Sequence, residues 1–241
     1  MPRLRGARPS PRHRLASAMP HRIVGPTPPQ WLWTPVQMSM WDNDVDGDCV
    51  TAEEAFKDAC TPGVFITDDT VVAWATANNA LNGADLITVL DIMQTAGFPQ
   101  GGKLYNDGHP NSVDWTNSTA LQNAIAQGPV KIGVAADQLQ NAVPDPPSNG
   151  WFATGFQPDG NLDHCVSLCG YGTIQWLATQ LGAVPADIGV DITAPAYALY
   201  TWKSIGIIDV PSMIAITGEA WLRSPNTLLS VPQPTKPPYA P

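Results

Sequence analysis

No apolar stretch of the sequence approaches the roughly 20 residues a helix needs to cross a bilayer, and the N-terminal segment lacks the apolar centre of a secretory signal. Histidine is scarce, and the four cysteines, Cys49, Cys60, Cys165 and Cys169, form no CxxC pair, which removes the usual zinc spacings. Cys165 and Cys169 stand four apart in one strand-like run, and such residues lie roughly 13 Å apart, too far for a disulfide. Both are expected to be small core fillers. Acid is missing altogether from residues 1–22, which carry Arg3, Arg5, Arg8, Arg12, Arg14 and Arg22. That leaves 6 of the 12 basic residues to face all 21 acidic ones, a net charge of −15 for the rest of the chain. The body cannot attract nucleic acid through its general field, so only the basic arm could bind it.

What is abundant is proline. Pro2, Pro9, Pro11, Pro20, Pro26, Pro28, Pro29 and Pro35 punctuate residues 1–35, and Pro225, Pro232, Pro234, Pro237, Pro238 and Pro241 punctuate residues 224–241. Proline locks φ and removes a donor, so two extended arms without regular helix are expected. Between them, residues 36–223 have the size and apolar content of one globular domain. Trp31, Trp33 and Trp41 are placed to staple the first arm to that domain.

Within the domain, helices are expected over residues 50–59, 68–78, 84–96 and 118–127, the last two closed by Gly97 and Gly128. Asp48 stands where a side chain can cap the first. The period then changes, and residues 130–135, 164–171 and 197–202 read as strands. Helices first and strands afterwards make an α+β fold.

Cys49 falls in the first turn of the first helix, where the macrodipole and unpaired N–H groups favour a thiolate. Gly47 lets the chain turn sharply onto that helix. The string WDNDVDGDCVTAEEAF resembles the nucleophile segment of papain-like cysteine peptidases, in particular a divergent bacterial and phage branch marked by NDxxGDC. Further segments follow in family order: ALQNAIAQGPVKIGVAA resembles the helix and "GPV" strand, DHCVSLCGYG the histidine strand, and YALYTWKS the strand after it.

The resemblance implies a papain-like core, with an N-terminal helical part carrying the cysteine and a C-terminal antiparallel β part carrying the histidine. It implies a Cys–His hydrolase acting on peptide-like substrates without a cofactor. Cys49 would be the nucleophile, His164 the base, and Asn43 a donor to the oxyanion in place of the family's Gln. The family's orienting Asn has no counterpart in YALYTWKS, so Thr201 or Asp163 is left to hold the imidazole. The chain would be soluble, either cytoplasmic or part of a phage particle.

Two other readings stand beside this one. The same fold could serve as a structural or interaction module in a phage particle, its arms bound to neighbouring subunits. Asp42, Asp44, Asp46, Asp48 and Glu53 also match the spacing of an EF-hand loop, which would make a calcium-stabilised binding domain. Without a metal those carboxylates oppose ionisation of Cys49.

Overall fold

A computed structural model describes residues 3–185 and 189–223. The N-terminal arm contributes β1 (Ala7–Arg8), a six-residue helix α1 (Arg12–Ser17) and β2 (Trp31–Leu32). The helical part follows with α2 (Cys49–Ala59), α3 (Asp68–Ala77), β3 (Ala84–Asp85) and α4 (Leu86–Met93), then the short strands β4 (Phe98–Gln100), β5 (Lys103–Tyr105) and β6 (Pro110–Ser112). After α5 (Ser118–Gln127) come β7 (Val130–Val134), α6 (Asp137–Ala142), β8 (Phe152–Ala153) and the long β9 (His164–Thr173). The chain ends, as described, with α7 (Ile174–Gln180), β10 (Pro195–Thr201), β11 (Ser204–Asp209), α8 (Val210–Ile216) and β12 (Thr217–Arg223). Among the described residues no helix is long and apolar enough to cross a membrane.

The fold is α+β, as the order of elements implies. Local chemistry sets many of the boundaries. Thr67, Asp85, Asn117, Thr173 and Asp209 each accept a backbone N–H at the start of a helix, satisfying donors that the first turn leaves unpaired. Asp48 is a correction: it occupies the N-cap position of α2, but its side chain makes no capping bond. Its carbonyl accepts from Thr51 and Ala52 instead. The helix expected over residues 84–96 is likewise shorter, because Ala84 and Asp85 pair with Ala7 and Arg8.

The main sheet has the order β6-β12-β7-β9-β10-β11-β8, with β2 added along β9. Its central strand β9 alternates faces. Cys165 and Cys169 point into the core shared with the helical part, and Val166 and Leu168 into a second core behind the sheet. Ordinary alternation keeps both cysteines on one face, and pairing with β10 slips at Ala198/Leu199, a bulge beyond which Tyr171 returns to the core of Val166 and Leu168. All four cysteines are free thiols.

A buried ion cluster pins α2 to the sheet. Glu54 on α2 pairs with Lys131 of β7 and, at 2.8 Å, with Arg223 of β12. All three are wholly buried, and Lys131 also donates to the Val50 carbonyl at 2.7 Å. Burial alone would push the Glu54 carboxyl up, but Arg223 and Lys131 outweigh it and hold the group well below its usual range. The cluster fixes both the rotation and the depth of the helix whose first residue is Cys49.

The first arm lies folded on the domain. Contrary to the proline argument it contains regular helix: Pro11 stands just before α1, where its ring cannot clash with a preceding turn. Arg14 of α1 pairs with Asp91, Trp33 donates to the Ile125 carbonyl at 2.6 Å, and β2 pairs antiparallel with β9. The second arm, residues 224–241, lies outside the described residues.

Candidate active site

Cys49 opens α2 and is 1% exposed. Its sulfur faces the backbone of two segments: Cys165, the residue after His164 on β9, and Gly6 of the arm. The topology therefore brings helix, histidine strand and arm to one point. Burial, the dominant influence, pushes the thiol up to about 12, and Asp48 and Glu53 add to it.

His164 is held on two sides by consecutive residues of the β10–β11 hairpin. Its Nε2 lies 2.8 Å from Thr201 Oγ1, and its ring stacks on Trp202 with centroids 4.3 Å apart and planes 12° from parallel. Its Nδ1 is buried without a partner, which leaves that nitrogen free for chemistry. Burial first, and Arg5 second, lower the imidazole to about 3. Trp202 and Lys203 both take positive φ, 42° and 61°, as a two-residue hairpin turn requires. Trp202 was given no role by the sequence; the "TW" pair next to the histidine strand was the available signal.

The other expected site residues fall as follows. Asn43 is buried, with its amide turned to the Asp46 carbonyl at 3.3 Å and its own carbonyl accepting from Leu4 of the arm at 3.2 Å. Asp163 does not meet the imidazole: it accepts from the Ala136 N–H at 3.1 Å and from Arg5 at 2.7 Å. Burial first, and a hydrogen bond with Asp46 second, raise Asp42. Glu53 instead lies buried on α2, bonded to Ser167. Among the described residues no three acidic, histidine or cysteine side chains are grouped to hold a metal ion.

Asp48 is wholly buried and neither carboxylate oxygen makes a well-formed hydrogen bond, the Asn43 amide and its own N–H lying near enough only to lower it weakly. Burial raises it to about 8, with Asp42 and Asp46 adding to the effect. Between about pH 4 and pH 8 the native state therefore keeps a proton that the unfolded chain releases, so this group lowers stability progressively as pH rises. Asp48→Asn removes the penalty. Its melting temperature should exceed that of the native sequence by a margin that grows from pH 5 to pH 9; a margin constant with pH would contradict the assignment.

The arm fills the cleft. Leu4 bonds to Asn43, Ala7 to the Asp163 carbonyl, and β1 runs parallel to β3. Arg5 pairs with Asp137 at 2.5 Å and with Asp163, and Arg3 bonds to the carbonyls of Gln140 and Val143 at 2.7 and 2.9 Å. Further along, the Ser10 N–H meets the buried Glu219 carboxylate at 2.9 Å. A cavity of about 470 Å³ lies instead at the far end of α2, among Lys57, Asp58, Cys60, Tyr105 and Arg223, and takes in neither Cys49 nor His164. The arm's part in the site was missed from sequence, although six arginines before a strongly acidic body hinted at an internal partner.

No family model matches the sequence, and no curated protein matches it. Solved structures do match. Xylellain, a cysteine protease from Xylella fastidiosa, aligns with a TM-score of 0.59 at 11% identity, covering 92% of this chain and 96% of that one. The proform of the ragweed pollen cysteine protease Amb a 11 gives 0.58 at 15% identity over 95% of this chain and 70% of that one. A Carica candamarcensis cysteine protease in complex with E-64 gives 0.57 at 14% identity, covering 83% and 99%. At such identities the likeness establishes the fold, which is papain-like.

Proposed function

We propose that the protein is a papain-like cysteine peptidase, described here with its cleft closed by its own N-terminal arm. The observation that carries this reading is the pinned imidazole: Thr201 on Nε2, Trp202 on the ring face, and an unpartnered Nδ1 beside the strand backbone that faces the Cys49 sulfur. In the open enzyme Nδ1 takes the thiol proton and the sulfur attacks a peptide carbonyl. The Cys49 N–H at the helix start receives the oxyanion, joined by the Asn43 amide once it turns from the Asp46 carbonyl. Nδ1 then protonates the leaving amine, and a water activated by the same nitrogen releases the acyl group.

With the arm seated, both groups are neutral and the site is silent. Burial is the largest cause of both shifts, so when the arm departs and water enters, the imidazole rises, freed also of Arg5, and the thiol falls, the gain in solvation outweighing loss of the Gly6 bond, toward the ion pair that attacks. The experiment is hydrolysis of a quenched fluorescent peptide by the full chain carrying Arg3→Ala and Arg5→Ala, which loosen the arm. Turnover is expected there and should be lost in both Cys49→Ala and His164→Ala on that background. Hydrolysis that survives Cys49→Ala, or none in any variant, overturns the proposal.

A further inference from the structure

The contacts of the arm disclose which side chains the cleft accepts. On one side of Gly6, Arg5 lies across two carboxylates: its Nη1 reaches Asp137 Oδ1 at 2.5 Å and Asp163 Oδ2 at 2.7 Å, while Nε donates to Gln140 Oε1 at 3.1 Å. Two residues earlier, Arg3 enters a second socket. Its guanidinium donates to the carbonyls of Gln140, Val143 and Pro144, and its carbon lies 5.7 Å from the centre of the Trp202 ring. Residues i and i+2 of an extended chain share a face, so an Arg-x-Arg peptide fits both sockets together. Trp202 is the same ring that stacks on His164, which places the sockets directly beside the reacting centre.

Without a cation neither socket has a charged partner, Asp163 keeping only the Ala136 N–H and Asp137 facing water. When the arm leaves, Asp137 and Asp163 stand side by side with no other ion-pair partner among the described residues. The three carbonyls point into the same space. The planar fork of arginine matches paired carboxylates and convergent carbonyls, and it stacks on an aromatic face, which lysine does less well. A body of net charge −15 also draws basic peptides toward the cleft.

We infer that the cleft beside Trp202 is an arginine-selective substrate site, with Asp137, Asp163 and the Gln140–Pro144 carbonyls recognising basic peptides that carry one or two arginines close to the scissile bond. The arm occupies it as a mimic of that substrate. This inference rests on the peptidase reading of Cys49 and His164, and the test separates the two.

The probes are two fluorescein-labelled decapeptides, alike except that one carries Arg-x-Arg and the other citrulline-x-citrulline, a neutral replacement of nearly the same shape. Binding is measured by fluorescence anisotropy to the full chain carrying Cys49→Ala, Arg3→Ala and Arg5→Ala, whose sockets are empty. The arginine peptide is expected to bind at least about tenfold more tightly, as charge-assisted bonds imply. Asp163→Asn, the more buried of the two, should erase most of that difference, and Asp137→Asn, at an exposed position, the remainder. Equal binding of the two peptides, no binding of either, or a preference that survives both substitutions overturns the inference. Cleavage is then followed with Cys49 restored. Selective binding without cleavage leaves the sockets standing and removes the peptidase reading, whereas cleavage of both peptides at equal rates does the reverse.

Discussion

Gly6→Ala is expected to raise the rate at which iodoacetamide alkylates Cys49 at pH 8 by at least about tenfold. A Cβ on Gly6 would lie 1.6 Å from the Gly47 carbonyl oxygen and 2.5 Å from its carbon. Those are backbone atoms of the turn that leads into α2, so the arm must lift rather than the turn yield. Once it lifts, water reaches the thiol and relieves the burial that holds it at about 12, outweighing loss of the Gly6 backbone bond that lowers it, so it moves toward the ordinary value near 8.5. That change alone multiplies the thiolate fraction at neutral pH by orders of magnitude. The buried Cys165 and Cys169 provide slow internal references in the same digest, read by mass spectrometry. Gly83→Ala should act similarly from the opposite side, since its Cβ would lie 2.6 Å from the Gly6 carbonyl oxygen and its φ is +103°. Unchanged labelling in both variants would mean that the arm does not guard the thiol.

Glu54→Ala should remove about 3–5 kcal/mol of folding stability, the usual cost of leaving buried charge uncompensated. The variant strands Lys131 and Arg223 in a wholly buried site, and their remaining acceptors are neutral carbonyls and the Ser167 hydroxyl, Glu53 being held well above its ordinary range by burial. Urea denaturation provides the comparison. The control is Arg14→Ala, which breaks an ion pair whose partners are about 40% exposed; such pairs contribute at most about 1 kcal/mol. Equal losses in the two variants would show that the cluster does not organise the core.

The helix that opens with Cys49, the histidine strand and the fold class were legible because each is local. Helix formers follow Cys49, an apolar run surrounds His164, and the order of the segments did the rest. Thr201 was legible as a neighbour in sequence, and it meets Nε2 at 2.8 Å. Other features depend on separations that no local pattern encodes. Lys131 read as part of an apolar strand, yet its ammonium lies buried against Glu54, 77 positions away. The arm read as extended because proline opposes helix, whereas much of its order comes from acids at positions 137 and 163 that local propensity cannot see. Asp48 read as a helix cap from its position; its side chain is instead enclosed without a well-formed hydrogen bond.

The position of β12 bears on how the molecule comes into being on the ribosome. This last described strand is not at an edge of the sheet but between β6 and β7, and it delivers Arg223 to the ion cluster under α2. The Cys49 helix is synthesised early, yet its buried carboxylate is fully neutralised only after 169 further residues have emerged. Pairings of such long range make folding slow. A nascent chain therefore carries Cys49 through most of its synthesis without the histidine strand or the completed sheet, and the meeting of Cys49 with the His164 strand is deferred until nearly the whole domain has been made.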